Sequence, residues 1–167
     1  MTSQQTHQIG PPRVGTPWPE QGGVYLGVVR GVDGKPDYHL ITPEGEEGDL
    51  PDLEWGAYGK DEPGAKCRRD GLANTLALVN SEHQHPAAEA IAKLEINGFK
   101  DWYLGSQAEM DVLTANAPEL LTEGDWYWTS TQYSAYSAWV QDAFGNTDFY
   151  RKRNEFKARA FRRLLIE

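Results

Sequence analysis

At Trp126 the periodicity of the chain changes, and that change restricts the possible fold more than any bulk property does. Upstream of it, apolar residues recur at helical spacing. In "HPAAEAIAKLEING" Ala87, Ile91 and Leu94 share a face, Pro86 suits a first-turn position and Gly98 suits the exit. In "GSQAEMDVLTANAP" Ser106 and Glu109 make a capping box, each side chain satisfying a backbone amide at the helix start. Met110 and Leu113 then face inward, and Pro118 stops the run. From Trp126 onward the pattern has period two, in "WYWTST", "SAWVQDAF", "TDFYRK" and "KARAFRRLLI", broken at Gly145-Asn146. Before the helices, "GGVYLGVVRGVDGKPDYHLITPE" holds two β-branched runs around Asp33-Gly34, a pair that supplies the positive φ of a hairpin turn. The segregation of helices from strands predicts an α+β fold: an N-terminal β-hairpin, two short helices and a strand-rich C-terminal third.

A length of 167 residues suits one domain, placed at 23–167. Residues 1–22 are rich in proline and glycine without apolar periodicity and read as an extended arm over the domain or a neighbour. Residues 44–54, "EGEEGDLPDLE", carry six acids and no base and read as a solvated loop. The N-terminus lacks a basic start followed by an apolar run, so neither a signal peptide nor membrane insertion is expected. The expected location is the cytoplasm of the producing cell, free or assembled into a particle. Cys67 is the one cysteine, which excludes an intramolecular disulfide.

Net charge is −9, spread unevenly. From Ala143 to Glu167 the chain is +4, leaving −13 for residues 1–142. Such a body repels phosphates, and nucleic-acid binding would rest on the C-terminal stretch alone. In an extended run Lys157, Arg159, Phe161 and Arg163 point one way, and Ala158, Ala160, Arg162 and Leu164 the other. The expected role of these arginines is pairing with the acidic body. His83 and His85 beside Glu82 lack an evident third ligand, so no metal site and no cofactor is expected. Asp125, Asp142 and Asp148 flank the aromatic region, but the chain carries no GxSxG, HExxH, P-loop or GxGxxG pattern, and no catalytic residue is assigned.

The order of "DGLANT" (70–75), "INGFKDWYLGSQAEMDVL" (96–113), "YWTST" (127–131), "SAWVQDAFGN" (137–146) and the Arg-rich last strand resembles the C-type-lectin-like domain that terminates bacterial collagen-like adhesins and recurs in phage and prophage proteins. The likeness covers roughly 23–165. Tyr103 and Gly105 depart from the usual Arg and Pro of that pattern. The calcium-dependent lectins of this broad fold use "EPN" or "QPD" with "WND"; here there is "EPG" (62–64) and no "WND", so calcium-dependent sugar binding is unsupported. The formylglycine-generating relatives use paired cysteines, which a single cysteine excludes.

The resemblance implies a core of Trp102, Trp128 and Trp139, and, since related domains sit on trimeric stalks, the option of a homo-oligomer. Between the strands carrying two of these tryptophans lies "TQYSAYSA" (131–138), a Tyr/Ser/Ala loop of the composition that binding loops use, or else a polar turn packed on its own domain. The expected partner-binding set is Tyr133, Tyr136 and Trp126, with Asn146 and Asp148 on the neighbouring turn. The expected partner is a protein, with a glycan as the alternative. Two roles are open: a virion-associated host-recognition or accessory protein, and an intracellular inhibitor of a host defence or nucleic-acid-binding complex.

Overall fold

The computed structural model describes residues 10–167, so the first nine residues of the expected arm lie outside the described residues. The rest of the arm lies on the chain's own sheet. Its strand β1 (Pro17–Trp18) runs antiparallel to β2 (Gly23–Val29), and the Trp18 ring meets Tyr25 and His39 edge-on at 5.3 and 5.5 Å. β2 pairs antiparallel with β3 (Tyr38–Thr42), and Asp33 and Gly34 in the connection take φ of 54° and 78°, the left-handed conformation expected of them.

The acidic stretch 44–54, expected as a loop, is instead a 3-10 turn (Glu46–Gly48) and a strand, β4 (Asp49–Glu54). Two leucines explain the difference. Leu50 and Leu53 both pack against the core, and a register shift between them lets residues three apart reach the same side. Charge count identified a solvated edge and missed this apolar pair.

A third helix, α1 (Gly71–Val79), stands where two helices in all were expected. Asp70 caps it, accepting from Ala73 N at 3.0 Å. Its packing face is partly polar: beside buried Leu78, buried Asn74 donates to Cys67 O at 2.7 Å and Ser130 Oγ at 3.2 Å, and buried Thr75 donates to Leu104 O at 3.0 Å. A helix buried through hydrogen bonds leaves no complete apolar stripe to read. α2 (Pro86–Ala92) begins at its proline as expected but ends at Lys93, well before Gly98, whose φ of 80° serves a turn between Ile96 and Phe99.

After β5 (Tyr103–Leu104), α3 (Gln107–Asn116) starts on the full capping box: Glu109 N donates to Ser106 Oγ and Ser106 N to Glu109 Oε1. Four strands follow, β6 (Tyr127–Gln132), β7 (Ser137–Gln141), β8 (Thr147–Arg151) and β9 (Glu155–Leu165). They complete a nine-stranded sheet of order β1-β2-β3-β9-β6-β7-β8, with β4 and β5 also paired to β9.

β9 is the spine of the molecule. Its alternation splits the interior in two: Ala158 and Ala160 face a cluster with Trp55, Leu78, Ile91 and Trp128 beneath α1 and α2, while Phe161 faces Leu26, Leu40, Met110 and Leu113 beneath α3. The strand's cations are used internally, as expected. Arg162 Nε meets Asp101 at 2.7 Å, Arg163 meets Asp70 at 3.2 Å, and buried Arg159 meets Thr42 Oγ1 at 3.0 Å and Asp49 at 3.6 Å. No helix among the described residues is long and apolar enough to cross a membrane.

Candidate functional site

β7 and β8 form a regular hairpin whose register assigns each side chain to a face: Ser137 opposes Arg151, Trp139 opposes Phe149, and Gln141 opposes Thr147. These three rungs share one face of the sheet, and Ala138 and Tyr150 lie on the other. The central rung is aromatic and open to solvent. Tyr133 stacks on Phe149 with ring centroids 3.9 Å apart and planes 8° apart, and both rings stand edge-on to Trp139, at 5.1 and 5.7 Å. Tyr133 is 49% and Phe149 42% exposed.

The 133–137 turn behind this stack is held by its own serines. Ser134 Oγ accepts from Tyr136 N at 3.1 Å and Ser137 N at 3.2 Å, and Ser137 O accepts from Tyr133 N and Ser134 N, both at 3.0 Å. Tyr136, 57% exposed, points to a second group: its ring meets Tyr58 at 5.4 Å, and the Arg153 guanidinium lies 4.6 Å over Tyr58.

Two expectations are corrected here. Trp139, expected in the core with Trp102 and Trp128, is half-buried and belongs to the solvent-facing stack; Trp102 and Trp128 are buried and donate through their indole N–H to Phe99 O and Leu53 O. Trp126, expected beside the tyrosines, packs against the core and meets Tyr150 at 5.8 Å, on the opposite face of the hairpin. Period-two alternation divides the aromatic residues between two faces without saying which face is covered.

Asn146 lies exposed at the hairpin tip, where its amide N–H and Nδ2 both donate to Asp142. Asp148 is turned away from Phe149 by the alternation and accepts from the Phe149 backbone N–H at 2.8 Å. Asp125 pairs with Lys157 at 3.1 Å, so the three flanking carboxylates do not converge. Sequence reasoning missed Phe149, although "TDFYR" does signal that one of its two adjacent aromatics must face outward.

Beneath the Tyr136 group lies a buried polar cluster. Lys152, fully buried, donates from Nζ to Lys60 O and Gln132 Oε1, both at 2.8 Å, and sits 4.7 Å over the Trp55 ring. Burial lowers its pKa to about 8, against the opposing pull of Glu62 and Asp61. His85 engages both ring nitrogens, Nδ1 with Trp55 O at 3.0 Å and Nε2 with Glu62 at 2.9 Å. Burial pushes Glu62 up, but hydrogen bonds from Ser81 and His85 outweigh it and hold the carboxyl below its ordinary value. Among the described residues no group of three or more His, Cys, Asp or Glu is placed to hold a metal ion.

On its other side the aromatic rung borders a polar cleft of about 240 Å³ between the hairpin and the start of α3, lined by Trp139, Gln141, Thr147, Gln107 and Asp111, with Lys66 and Arg68 beside them. The open face therefore combines a rigid aromatic platform with a cleft of amides and charges, an arrangement suited to binding by stacking and hydrogen bonding. Compared with known proteins, the chain matches no family model and no curated protein.

Proposed function

We propose that this protein is a non-enzymatic macromolecule-binding module of C-type-lectin-like type, a virion-associated host-recognition or accessory protein of phage or prophage origin, that grips a protein partner through the outer face of the β7–β8 hairpin. The observation that carries the reading is the solvent-facing stack of Tyr133, Phe149 and Trp139. Aromatic residues give large contact area at low entropic cost, and the Ser134 bonds already order the turn, so little freedom is lost on binding. The double variant Tyr133→Ala/Phe149→Ala is expected to weaken partner binding by roughly 100-fold or more, the scale of two hot-spot residues, with a change in melting temperature of only a few degrees. Pull-down from host lysate with wild type and variant, followed by titration of the captured protein, tests it; undiminished capture by the variant overturns the assignment.

A second reading, an intracellular inhibitor of a basic host complex, is favoured by the way charge is spent. Arg159, Arg162 and Arg163 are neutralised internally, while Glu44, Glu46, Glu47 and Asp52 stand exposed. Mass spectrometry of purified particles separates the two: presence in the particle supports the first reading, and absence there with capture of a basic complex supports the second.

A further inference from the structure

β8 is the last strand of the sheet, and its far end carries positive charge that the fold does not use. Arg151 shares a face with Phe149, two residues on and roughly 7 Å along the strand. It is exposed, and its guanidinium makes no bond or ion pair among the described residues. Arg153 follows in the turn after β8, also exposed, with the Tyr58 ring 4.6 Å away as its one side-chain contact. A groove of about 400 Å³ runs beside them, lined by Ser137, Phe149, Tyr150, Arg151 and Asn154, none of them a carboxylate. On the other side of the aromatic stack the cations are compensated: Lys66 pairs with Asp61 at 3.0 Å, and Arg68 shares its cleft with Asp111. The surplus positive charge of this face is therefore concentrated at Arg151 and Arg153.

The same surface is rich in unused donors. The hydroxyls of Tyr58, Tyr133 and Tyr136 and the indole N–H of Trp139 have no partner among the described residues, whereas Trp55, Trp102 and Trp128 all donate to backbone carbonyls. An indole and a guanidinium only donate, so a partner that satisfies this surface must bring acceptors. Three acceptor-rich occupants differ in how they fit. A nucleic-acid strand brings a run of phosphates against the −13 of residues 1–142. A second copy paired through β8 meets a guarded edge. The bonds from Lys152 N to Tyr136 O and from Asp142 N to Asn146 O turn the even-numbered residues of β8 toward β7, so Phe149 turns its backbone outward, and Asp148 Oδ1 already takes that N–H at 2.8 Å. A short acidic peptide segment carries few charges and delivers carboxylates where the free arginines stand.

From these observations we infer that the groove beside β8 holds an extended acidic segment of the protein partner, its carboxylates on Arg151 and Arg153 and its apolar side chains on the rings of Phe149 and Tyr136. This deepens the binding-module reading and rests on it: the aromatic stack grips the partner, and the two arginines select an acidic stretch of it. Charges at the rim of an interface act on partner choice and association rate, so the selection weakens with salt.

NMR titration of the isotope-labelled full chain tests the inference, with the end-capped peptide Glu-Leu-Glu-Glu-Leu-Glu, its counterpart with lysine at every glutamate, and octathymidylate as probes. The acidic peptide is expected to move the amide signals of Phe149, Arg151 and Asn154 and to bind roughly fivefold to tenfold tighter than the lysine peptide at low salt. That advantage is expected to vanish in Arg151→Gln/Arg153→Gln and at high salt. The double variant breaks no ion pair, so its melting temperature is expected to stay within about 2 °C of wild type, and lost binding then reports the groove rather than unfolding. No binding of the acidic peptide, equal binding of both peptides, an advantage that survives in the double variant, or tighter binding of octathymidylate overturns the inference. So does sedimentation that shows a dimer abolished by the double variant, which would make a second copy the occupant. If a protein is captured through Tyr133 and Phe149 but binds Arg151→Gln/Arg153→Gln equally well, the acidic-segment inference falls and the binding-module reading stands. If the acidic peptide binds as expected but lysate capture is indifferent to Tyr133→Ala/Phe149→Ala, the groove stands and the aromatic grip falls.

Discussion

Glu109→Ala is expected to lower the melting temperature by roughly 10–20 °C, on the order of 3–5 kcal/mol for a domain of this size. The carboxylate is fully buried and is the point where five elements meet, α1, α3, β3, β5 and β9. Its Oε1 accepts from Gly71 N at 2.8 Å, at the start of α1, and from Ser106 N at 3.1 Å, at the start of α3. Its Oε2 accepts from Tyr38 Oη at 3.1 Å, from Tyr103 Oη, and from Arg163 Nη2 at 3.4 Å. Burial raises the pKa of both phenols, with the Glu109 charge adding to it, so both remain protonated donors.

For Arg163, burial opposes the charge but is outweighed by Tyr103, Glu109 and Tyr38, and the guanidinium is held above its ordinary value. Removing the carboxylate strands two buried amides and the Tyr103 hydroxyl proton, leaves Tyr38 only its longer bond to Arg69 O, and leaves Asp70 as the one carboxylate beside Arg163, whose Nε still donates to Tyr103 Oη. Glu109→Gln retains acceptor capacity at Oε1 and brings an N–H against donors at Oε2, so an intermediate loss is expected. Thermal unfolding followed by circular dichroism measures both; a shift under about 2 °C in the alanine variant, below what ~1 kcal/mol produces, would show that the network does not hold these elements together.

The second large effect depends on pH. Lys152 titrates near 8 in the folded protein and at its ordinary 10.5 in the unfolded chain. Between these values the unfolded chain holds the extra proton, so stability rises with pH across the window. Below pH 8 the ammonium is charged in both states and the cost of burying it is fully present. Relative to Lys152→Met, in which this titration is absent, the wild type is therefore expected to gain on the order of 2–3 kcal/mol between pH 8 and pH 10. Urea unfolding of both proteins at pH 7, 8, 9 and 10 measures the difference. Above pH 10 wild type and variant should lose stability together, because buried Tyr38, Tyr103 and Tyr127 stay protonated in the fold while their unfolded counterparts ionise. A difference that is flat or falls from pH 8 to 10 would mean that solvent reaches Lys152.

How much of this was legible in the sequence varied with the range of the interaction responsible. The capping box of α3, the positive φ at Asp33-Gly34 and the proline start of α2 rest on groups a few residues apart, and all three are present. α1 escaped because Asn74 and Thr75 bury it through hydrogen bonds to residues far along the chain, Ser130 and Leu104. β4 escaped because its acids outnumber the two leucines that anchor it. The candidate site was half legible: its Tyr/Ser loop stood out by composition, but Phe149 and the two glutamines carry no local signature.

Local hydrogen bonding and the alternation of side chains were enough to assign an α+β chain, place its turns and put the Arg-rich segment in a strand. Alternation guarantees two faces to a hairpin, and burial depends on what packs there: Trp126 and Tyr150 pack against the core, while on the other face Phe149 stands exposed beside half-buried Trp139. The cleft arises the same way, since Gln107 and Gln141, separated by 34 positions, meet only because α3 docks beside β7. Folding brought their amides together, and no local pattern encodes that meeting.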